Sequence, residues 1–155
     1  MAKFKFQETL LGKITQTARI HDTQTDALTD KDVGKFLKLT GDSQYGLCAD
    51  GDAIEATLEV HASPAGTYDG YVLGTVGKGG RRRVTFGETL NVGDFVVAGA
   101  PEARGVALTG YPKVKKETDA KAFRWRVVSL DGTNAAGQTG VIECVTGAGT
   151  GAIAA

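Results

Sequence analysis

The sequence predicts an all-β protein: a compact small barrel or sandwich of about ten short strands, with at most one or two short helical turns. Glycine supplies 22 of the 155 residues, about twice its usual share of about 7%, whereas only three residues are proline. Short apolar runs with alternating polarity lie between these glycines. That combination is typical of strands joined by tight turns, where glycine adopts backbone angles that other residues avoid.

The bulk composition is that of a globular chain. Hydrophobic residues make up 41% and charged residues 23%, which is too apolar for a disordered protein. No apolar run approaches the roughly 18 residues that span a bilayer. The first residues, MAKFKFQETLL, lack the continuous apolar stretch of a secretion signal. We therefore expect a protein made in a cytosol, without a membrane partner, whose cysteines Cys48 and Cys144 are reduced.

The strands of the first half are predicted from alternation. An extended N-terminal arm with a strand at 3–11 comes first, and a second strand follows at 12–20. The polar segment 21–32 is predicted to be a loop with one helical turn, capped by Thr29. Further strands are predicted at 35–41, 45–51 and 53–63, the last chosen over a helix because its surroundings are rich in β-forming residues.

The second half continues the pattern. Segments 68–76 and 82–86 flank the stretch GKGG, which predicts a hairpin. The lysine-rich segment 113–122 is predicted to be a charged loop or a short helix. In AFRWRVV, alternation predicts Phe123, Trp125 and Val127 on one face and two arginines on the other. Strands are predicted at 95–99, 105–110, 123–132 and 139–147.

One patterned stretch occurs twice, 59 residues apart: VGKFLKLTGDSQYGLCADG at 33–51 and VGDFVVAGAPEARGVALTG at 92–110. The matched positions are turn glycines and strand apolar residues: Gly34 with Gly93, Phe36 with Phe95, Leu37 with Val96, Gly46 with Gly105, Leu47 with Val106, and Gly51 with Gly110. The predicted organisation is therefore an arm with first strands at 1–20, a single β domain at 21–147 with two similar strand–turn–strand units, and a flexible tail at 148–155.

Few residues have the spacing of a catalytic or metal site. The stretch GKGGRRR at 77–83 lacks the Ser or Thr that follows the lysine of a phosphate-binding loop. DGDAIE at 50–55 is only a fragment of a calcium loop, and the two histidines, His21 and His61, have no ligand partner at metal spacing. We expect no enzyme activity, no cofactor, no metal and no nucleic-acid partner. A hydrolase would need a pocket that joins either histidine to Asp50, Asp52 or Glu55.

Charge is balanced overall but segregated along the chain. Residues 20–60 hold nine acidic and three basic side chains, whereas 76–126 hold eleven basic and five acidic ones. The basic side chains of the predicted hairpin tip are expected to be solvated or to contact an acidic partner electrostatically; they are Lys78, Arg81, Arg82 and Arg83.

The segment DVGKFLKLTGD…GLCADGDAIEA resembles the small capsid decoration, or cement, proteins of tailed bacteriophages. The similarity covers 32–60 and, more weakly, 91–110, whereas the basic stretch 77–83 and the lysine-rich 113–121 depart from it. The resemblance implies a non-enzymatic structural protein, made in the host cytoplasm, that binds the outer capsid surface of the virion. There it would cement neighbouring major capsid proteins and stabilise the expanded head.

The resemblance also implies a homotrimer, with a dimer at two-fold positions as the alternative, and an arm that adds a strand to the shell. Backbone hydrogen bonds and alternating apolar side chains suit such strand addition. The residues expected to contact the capsid are Lys3, Phe4, Lys5, Phe6, Leu10 and Leu11. A β-rich receptor- or carbohydrate-binding module of a phage tail or similar particle is the alternative, which predicts Trp125 exposed in a groove rather than buried.

Overall fold

A computed structural model describes residues 13–61, 67–68, 70–119 and 124–145. This part of the chain is all-β, as predicted, with eleven strands and one 3-10 helical turn, Asp30–Asp32. The predicted strand at 3–11 and the tail at 148–155 lie outside the described residues. The strands are β1 (Lys13–Ile20), β2 (Phe36–Gly41), β3 (Gln44–Leu47), β4 (Ala56–His61), β5 (Thr67–Tyr68), β6 (Tyr71–Gly79), β7 (Arg81–Phe86), β8 (Phe95–Ala98), β9 (Lys113–Lys116), β10 (Trp125–Leu130) and β11 (Thr139–Cys144).

Five strands close a first barrel in the circular order β1, β3, β2, β4, β6. The pair β1–β3 is parallel, and the other four pairs are antiparallel. Strand β5 pairs with β6 and extends the sheet beyond the barrel. Side chains fill the interior, as expected for a barrel of this size; they are Ala18, Ile20, Leu28, Leu37, Tyr45, Ala56, Leu58 and Val76.

The other five strands close a second barrel in the order β7, β9, β8, β10, β11. Its core extends across the flank of the first barrel, because Phe36, Cys48 and Ile54 pack into the same cluster. Trp125 ties the two together, since its indole nitrogen donates a hydrogen bond of 2.9 Å to the carbonyl of Ile54. The remaining buried members of the cluster are Val84, Phe86, Leu90, Val96, Ala98, Val114, Val127 and Ile142.

The two barrels have the same topology. If the barrel strands are numbered separately from β1 and from β7, both barrels have the circular order 1-3-2-4-5. In both, the parallel pair joins strands 1 and 3. The chain crosses from one barrel to the other at Gly79–Gly80, where both glycines have positive φ angles of 65° and 76°.

The sequence repeat coincides with this duplication only in its first half. Gly34 and Gly93 precede the second strand of their barrels with almost equal φ angles of 93° and 95°. After that strand the barrels differ, because a two-residue turn at 42–43 joins β2 to β3, whereas residues 99–112 join β8 to β9. The match of Gly46 to Gly105 therefore pairs a strand residue with a loop residue. The strand predicted at 105–110 was wrong, and 92–110 is not a strand–turn–strand unit.

Two further predictions need correction. Segments 68–76 and 82–86 do not form a hairpin, because β6 belongs to the first barrel and β7 to the second. The segment 113–122 begins with strand β9 rather than with a loop or helix, because Val114 is buried in the second core. Local charge suggested a solvated segment there, but one apolar residue between lysines suffices for a short barrel strand.

The predicted helical turn is present, and it places a buried carboxylate between the barrels. Thr29 caps the turn, and Asp32 accepts a hydrogen bond of 2.7 Å from the Thr29 amide in return. Asp32 also accepts hydrogen bonds from the Lys35 ammonium at 2.6 Å and from the Gly105 amide at 2.9 Å. Lys35 in turn donates to the carbonyl of Ala103 at 2.8 Å. The 99–112 loop of the second barrel is thus held against the first.

Gly46→Ala is expected to lower the free energy of unfolding by about 1–3 kcal/mol, the usual range for overpacking. A methyl group at this position in β3 would lie 2.7 Å from the Asp22 Cα and 2.8 Å from the His21 carbonyl oxygen, and backbone atoms cannot turn aside. Gly132→Ala is the matched control, because its methyl would lie 3.5 Å from Gln138 Oε1, an ordinary contact. Urea unfolding followed by circular dichroism measures both variants, and equal midpoints would contradict the packing described for Gly46.

Candidate functional site

The basic stretch 77–83 lies at the junction of the two barrels. Its first residues end β6, and its three arginines begin β7. A cleft of about 600 Å³ opens beside these arginines, between the barrels. Val33 and Tyr111, both exposed, also line this cleft, together with Leu108 from the 99–112 loop. The sequence predicted the charge of this surface but not the cleft, which depends on the 99–112 loop.

Arg82 is a structural residue of the junction. Its guanidinium donates a hydrogen bond of 3.1 Å to Thr57 Oγ1 and lies 3.3 Å from Glu59 Oε1, and both partners belong to β4 of the first barrel. The Arg82 side chain is only 11% exposed. Burial lowers the pKa of Arg82, and the Glu59 carboxylate opposes that shift. Arg82 thus joins the barrels and does not face an outside partner.

The other three cations are half-buried or exposed, and each contacts a neighbour within the chain. Arg83 forms an ion pair of 2.6 Å with Asp131 and lies over the Tyr111 ring at 5.8 Å. Arg81 lies 3.8 Å from Glu143, and the Lys78 ammonium lies 5.1 Å from the Tyr45 ring centre. Arg81 and Arg83 keep about half of their side-chain surface exposed. These two remain able to contact an acidic partner.

The acidic side chains that a hydrolase would need are held in separate contacts. Asp50 pairs with Lys115 at 3.0 Å, and Asp52 pairs with Lys38. Glu55 accepts a hydrogen bond of 3.0 Å from the backbone amide of Leu39. In the part of the chain that the structure describes, no group of three or more His, Cys, Asp and Glu side chains has the geometry to hold a metal ion.

The two histidines lie in the first barrel. His21 is buried, and its Nε2 accepts a hydrogen bond of 2.8 Å from the Val72 amide, so the ring is neutral with its proton on Nδ1. Burial lowers the pKa of His21. A hydrogen bond with the Thr23 backbone opposes that shift, the charge of Arg19 adds to it, and the charge of Asp22 opposes it. His61 Nε2 lies 3.2 Å from the Leu28 carbonyl oxygen. Both rings contact the backbone of their own barrel.

The thiol of Cys48 is a poor nucleophile. It is buried in the second core, where burial raises its pKa to about 12, and the charge of Asp52 adds to the shift. Its sulfur contacts the carbonyl oxygen of Ala53 at 3.5 Å. Cys48 and Cys144 are both free thiols. Because the thiolate is the reactive form, Cys48 serves packing rather than chemistry.

The residues expected to contact a capsid, in the segment 3–11, lie outside the described residues. The described chain begins with β1, whose Lys13 pairs with Gly79 at the junction. At the other end, the Cys144 amide donates a hydrogen bond of 3.0 Å to the Gly80 carbonyl. The segments 1–12 and 146–155 therefore join the two-barrel body at the same place, beside the basic stretch.

Trp125 offers no exposed aromatic platform. Its side chain is 1% exposed, within the second core, and its indole nitrogen is already bonded to Ile54. Alternation in AFRWRVV predicted the inward face of β10 correctly for Trp125 and Val127, whereas Phe123 lies outside the described residues. Over the described ranges, no helix has the length and apolar character needed to cross a membrane.

Comparisons with known protein families, with curated proteins and with solved structures gave no match.

Arg82→Ala is expected to lower the free energy of unfolding by about 2–3 kcal/mol, because it removes the guanidinium that lies 3.3 Å from the partly buried Glu59 carboxylate. Arg83→Ala is the matched control on the same strand. Its ion pair with Asp131 is about half exposed, so its loss should change stability by about 0–1 kcal/mol. Thermal and urea unfolding of both variants measure the difference, and an equal effect would contradict the role given to Arg82.

The stability of the protein is expected to fall as the pH drops below the ordinary histidine pKa of about 6.5. Since the folded-state pKa of His21 is lowered, the unfolded chain binds a proton first, and stability falls until the pH reaches the folded-state pKa. One such group gives a slope of at most about 1.4 kcal/mol per pH unit. Urea unfolding between pH 8 and pH 5 measures this slope.

His21→Gln should flatten the slope in this window, because it removes the imidazole whose folded-state pKa is lowered. Asp32 does not contribute to the slope between pH 8 and pH 5, although its own pKa is lowered. Burial raises the pKa of that carboxyl, but hydrogen bonds from Lys35, Thr29 and Gly105 outweigh burial. Its contribution is lost only on acidification below the ordinary aspartate range near 4. An unchanged slope in His21→Gln would show that another group titrates.

Proposed function

We propose that this chain is a non-enzymatic structural protein that binds the outer surface of a phage capsid and cements neighbouring major capsid proteins, stabilising the expanded head. It would be made in the host cytoplasm and function in the virion, as a homotrimer or a dimer. The resemblance of residues 32–60 to capsid decoration proteins motivates the proposal. In the structure this segment forms the second to fourth strands of the first barrel with their connections.

The observation that carries the proposal is the place at which the terminal segments join the body. The start of β1 and the end of β11 meet at Gly79 and Gly80. A segment that adds a strand to a shell would therefore emerge beside the exposed arginines Arg81 and Arg83. Arm and charge together support the junction of the two barrels as the capsid-binding surface.

The rigidity of the body also supports a cementing role. The barrels share a buried core and the hydrogen bond from Trp125 to Ile54. The Asp32–Lys35 pair with Ala103, and the contact of Arg82 with Glu59, add polar links between them. A protein that holds neighbouring capsid subunits against internal pressure must not deform between its contacts. Two barrels with such an interface meet that requirement better than two domains on a linker.

The alternative function, a receptor- or carbohydrate-binding module, has less support. Sugar-binding sites use exposed aromatic side chains as platforms, and Trp125 is buried. Tyr111 at the rim of the cleft is exposed, but it lies under Arg83.

The purified protein is expected to co-sediment with expanded, undecorated phage heads, because each head presents many copies of the binding position and avidity strengthens weak contacts. Deleting residues 1–11 should reduce occupancy at least tenfold while leaving the circular dichroism spectrum of the free protein unchanged. Occupancy is measured by quantitative gel analysis of the sedimented heads. Persistent absence of the full-length protein from the heads would sink the proposal.

Two pairs of substitutions separate the contributions within the arm. Phe4→Ala with Phe6→Ala removes apolar fit, whereas Lys3→Ala with Lys5→Ala removes charge but keeps the apolar residues. Strand addition predicts the larger loss for the phenylalanine pair, since the alternating apolar side chains provide the fit. A larger loss for the lysine pair, abolished at high salt, would mean that the arm binds by charge alone.

A further inference from the structure

Within the described residues, most of one edge of β1 has no neighbouring strand. Over Lys13–Arg19 the strand pairs with β6 on one side, but on the other side it pairs with β3 only at Arg19 and Ile20. The Arg19 amide donates a hydrogen bond to the Ser43 carbonyl, so odd-numbered residues direct their backbone groups toward that side. No strand of the described chain pairs there with Lys13, Thr15 or Thr17. These three residues present an open hydrogen-bonding edge.

The second barrel has an equivalent edge on β7. In that barrel the Thr85 amide donates to the Pro112 carbonyl, just as the Arg19 amide donates to the Ser43 carbonyl in the first barrel. Arg19 and Thr85 are therefore equivalent positions. Counting back along each strand, Thr15 and Thr17 of β1 correspond to Arg81 and Arg83 of β7. Those two arginines line the cleft together with the end of the 99–112 loop. In the first barrel, the two-residue turn at 42–43 is too short to reach along β1. The same topology thus places the 99–112 loop beside the edge of β7, whereas no connection of that length lies between β2 and β3.

Charge that could discourage pairing is confined to the two ends of this edge, at Lys13 and Arg19. Exposed edge strands commonly carry charged side chains or bulges that discourage another strand from adding. Residues 14–18 are Ile-Thr-Gln-Thr-Ala, without a charge, and the register of β1 with β6 has no bulge. Ile14 is 68% exposed although it continues the row of Ala18 and Ile20, which are buried in the core. An uncharged, regular edge beside an exposed isoleucine has the properties of an interface.

We propose that two copies of this chain pair through the β1 edge, antiparallel and about a two-fold axis at Thr15. In this register Thr15 pairs with its own counterpart, and Lys13 of each copy pairs with Thr17 of the other. All three open residues then exchange both backbone hydrogen bonds, as hydrogen-bonded antiparallel pairs do. The two Ile14 side chains become diagonal neighbours on the inward face, within reach of each other.

A second copy fits this edge because the edge is self-complementary. The three open residues are spaced symmetrically about Thr15, so the two-fold operation leaves none of their backbone groups unpaired. No like charges oppose each other over residues 14–18. The guanidinium of Arg19, at the far end, is held over the Tyr71 ring at 4.1 Å. The pairing gives a dimer, the alternative to the homotrimer, and it does not depend on the proposed capsid function.

Disulfide trapping tests the register in free protein, without phage heads. The full chain carries Cys144→Ser, which leaves the buried Cys48, and one added cysteine. Thr15→Cys should form a covalent dimer under mild oxidation, because Cα atoms of a hydrogen-bonded antiparallel pair lie about 5.5 Å apart, within disulfide range. Thr17→Cys is the matched control, since its two copies would be offset by four residues, about 14 Å along the strand.

The expected result is at least a tenfold higher dimer fraction for Thr15→Cys than for Thr17→Cys on a non-reducing gel, with dimeric mass in sedimentation for the protein without added cysteine. Equal trapping, or trapping of Thr17→Cys alone, would overturn the register. Hydrogen exchange identifies other occupants. Slow exchange of the Thr15 and Thr17 amides in a monomer would mean that the chain covers its own edge. Protection that appears only on heads would mean that the capsid covers it, and either result overturns the dimer.

Discussion

The buried carboxylate of Asp32 is the contact on which the relative position of the two barrels depends. It accepts hydrogen bonds from Thr29, from Lys35 and from Gly105, so a helical turn, the residue before β2 and a loop of the other barrel meet at one charge. Removing a carboxylate from water costs several kcal/mol unless donors surround it, and here the folded interface supplies them. The contact of Arg82 with Glu59 forms a second link, because the guanidinium of Arg82 on β7 of the second barrel lies beside the carboxylate of Glu59 on β4 of the first.

These contacts give some of the charged residues a structural role rather than a binding role. Arg82 and Lys35 are cations of the kind that binding sites use, yet their side chains are largely buried and form contacts within the chain. The features left for a partner are of another kind: the junction at Gly79–Gly80, the exposed Arg81 and Arg83 beside it, and the open edge of β1. Both the capsid-binding and the dimer proposals use main-chain pairing, which needs no reactive side chain and leaves little trace in composition.

The repeat illustrates how far a sequence pattern extends. Gly34 and Gly93 share a left-handed conformation at the same point of the same topology, so their match reports the fold. Gly46 and Gly105 also match, but Gly46 is required by close contact with the Asp22 backbone, whereas Gly105 lies in the loop that reaches Asp32. Counting residues at a constant offset cannot detect the longer connection at 99–112, because glycine and valine recur by chance in a chain this rich in both.

The sequence by itself determined the all-β class, most of the strands, the Thr29-capped turn and the inward face of Trp125, because alternation and capping depend on residues near one another in the chain. Only the tertiary structure decided that there are two barrels, that β6 and β7 separate at two glycines, and that Arg82 lies between them. It also decided that, among the described residues, no strand pairs with one edge of β1 before Arg19. Barrel closure and edge coverage depend on pairings between residues far apart in sequence, and local pattern does not encode those.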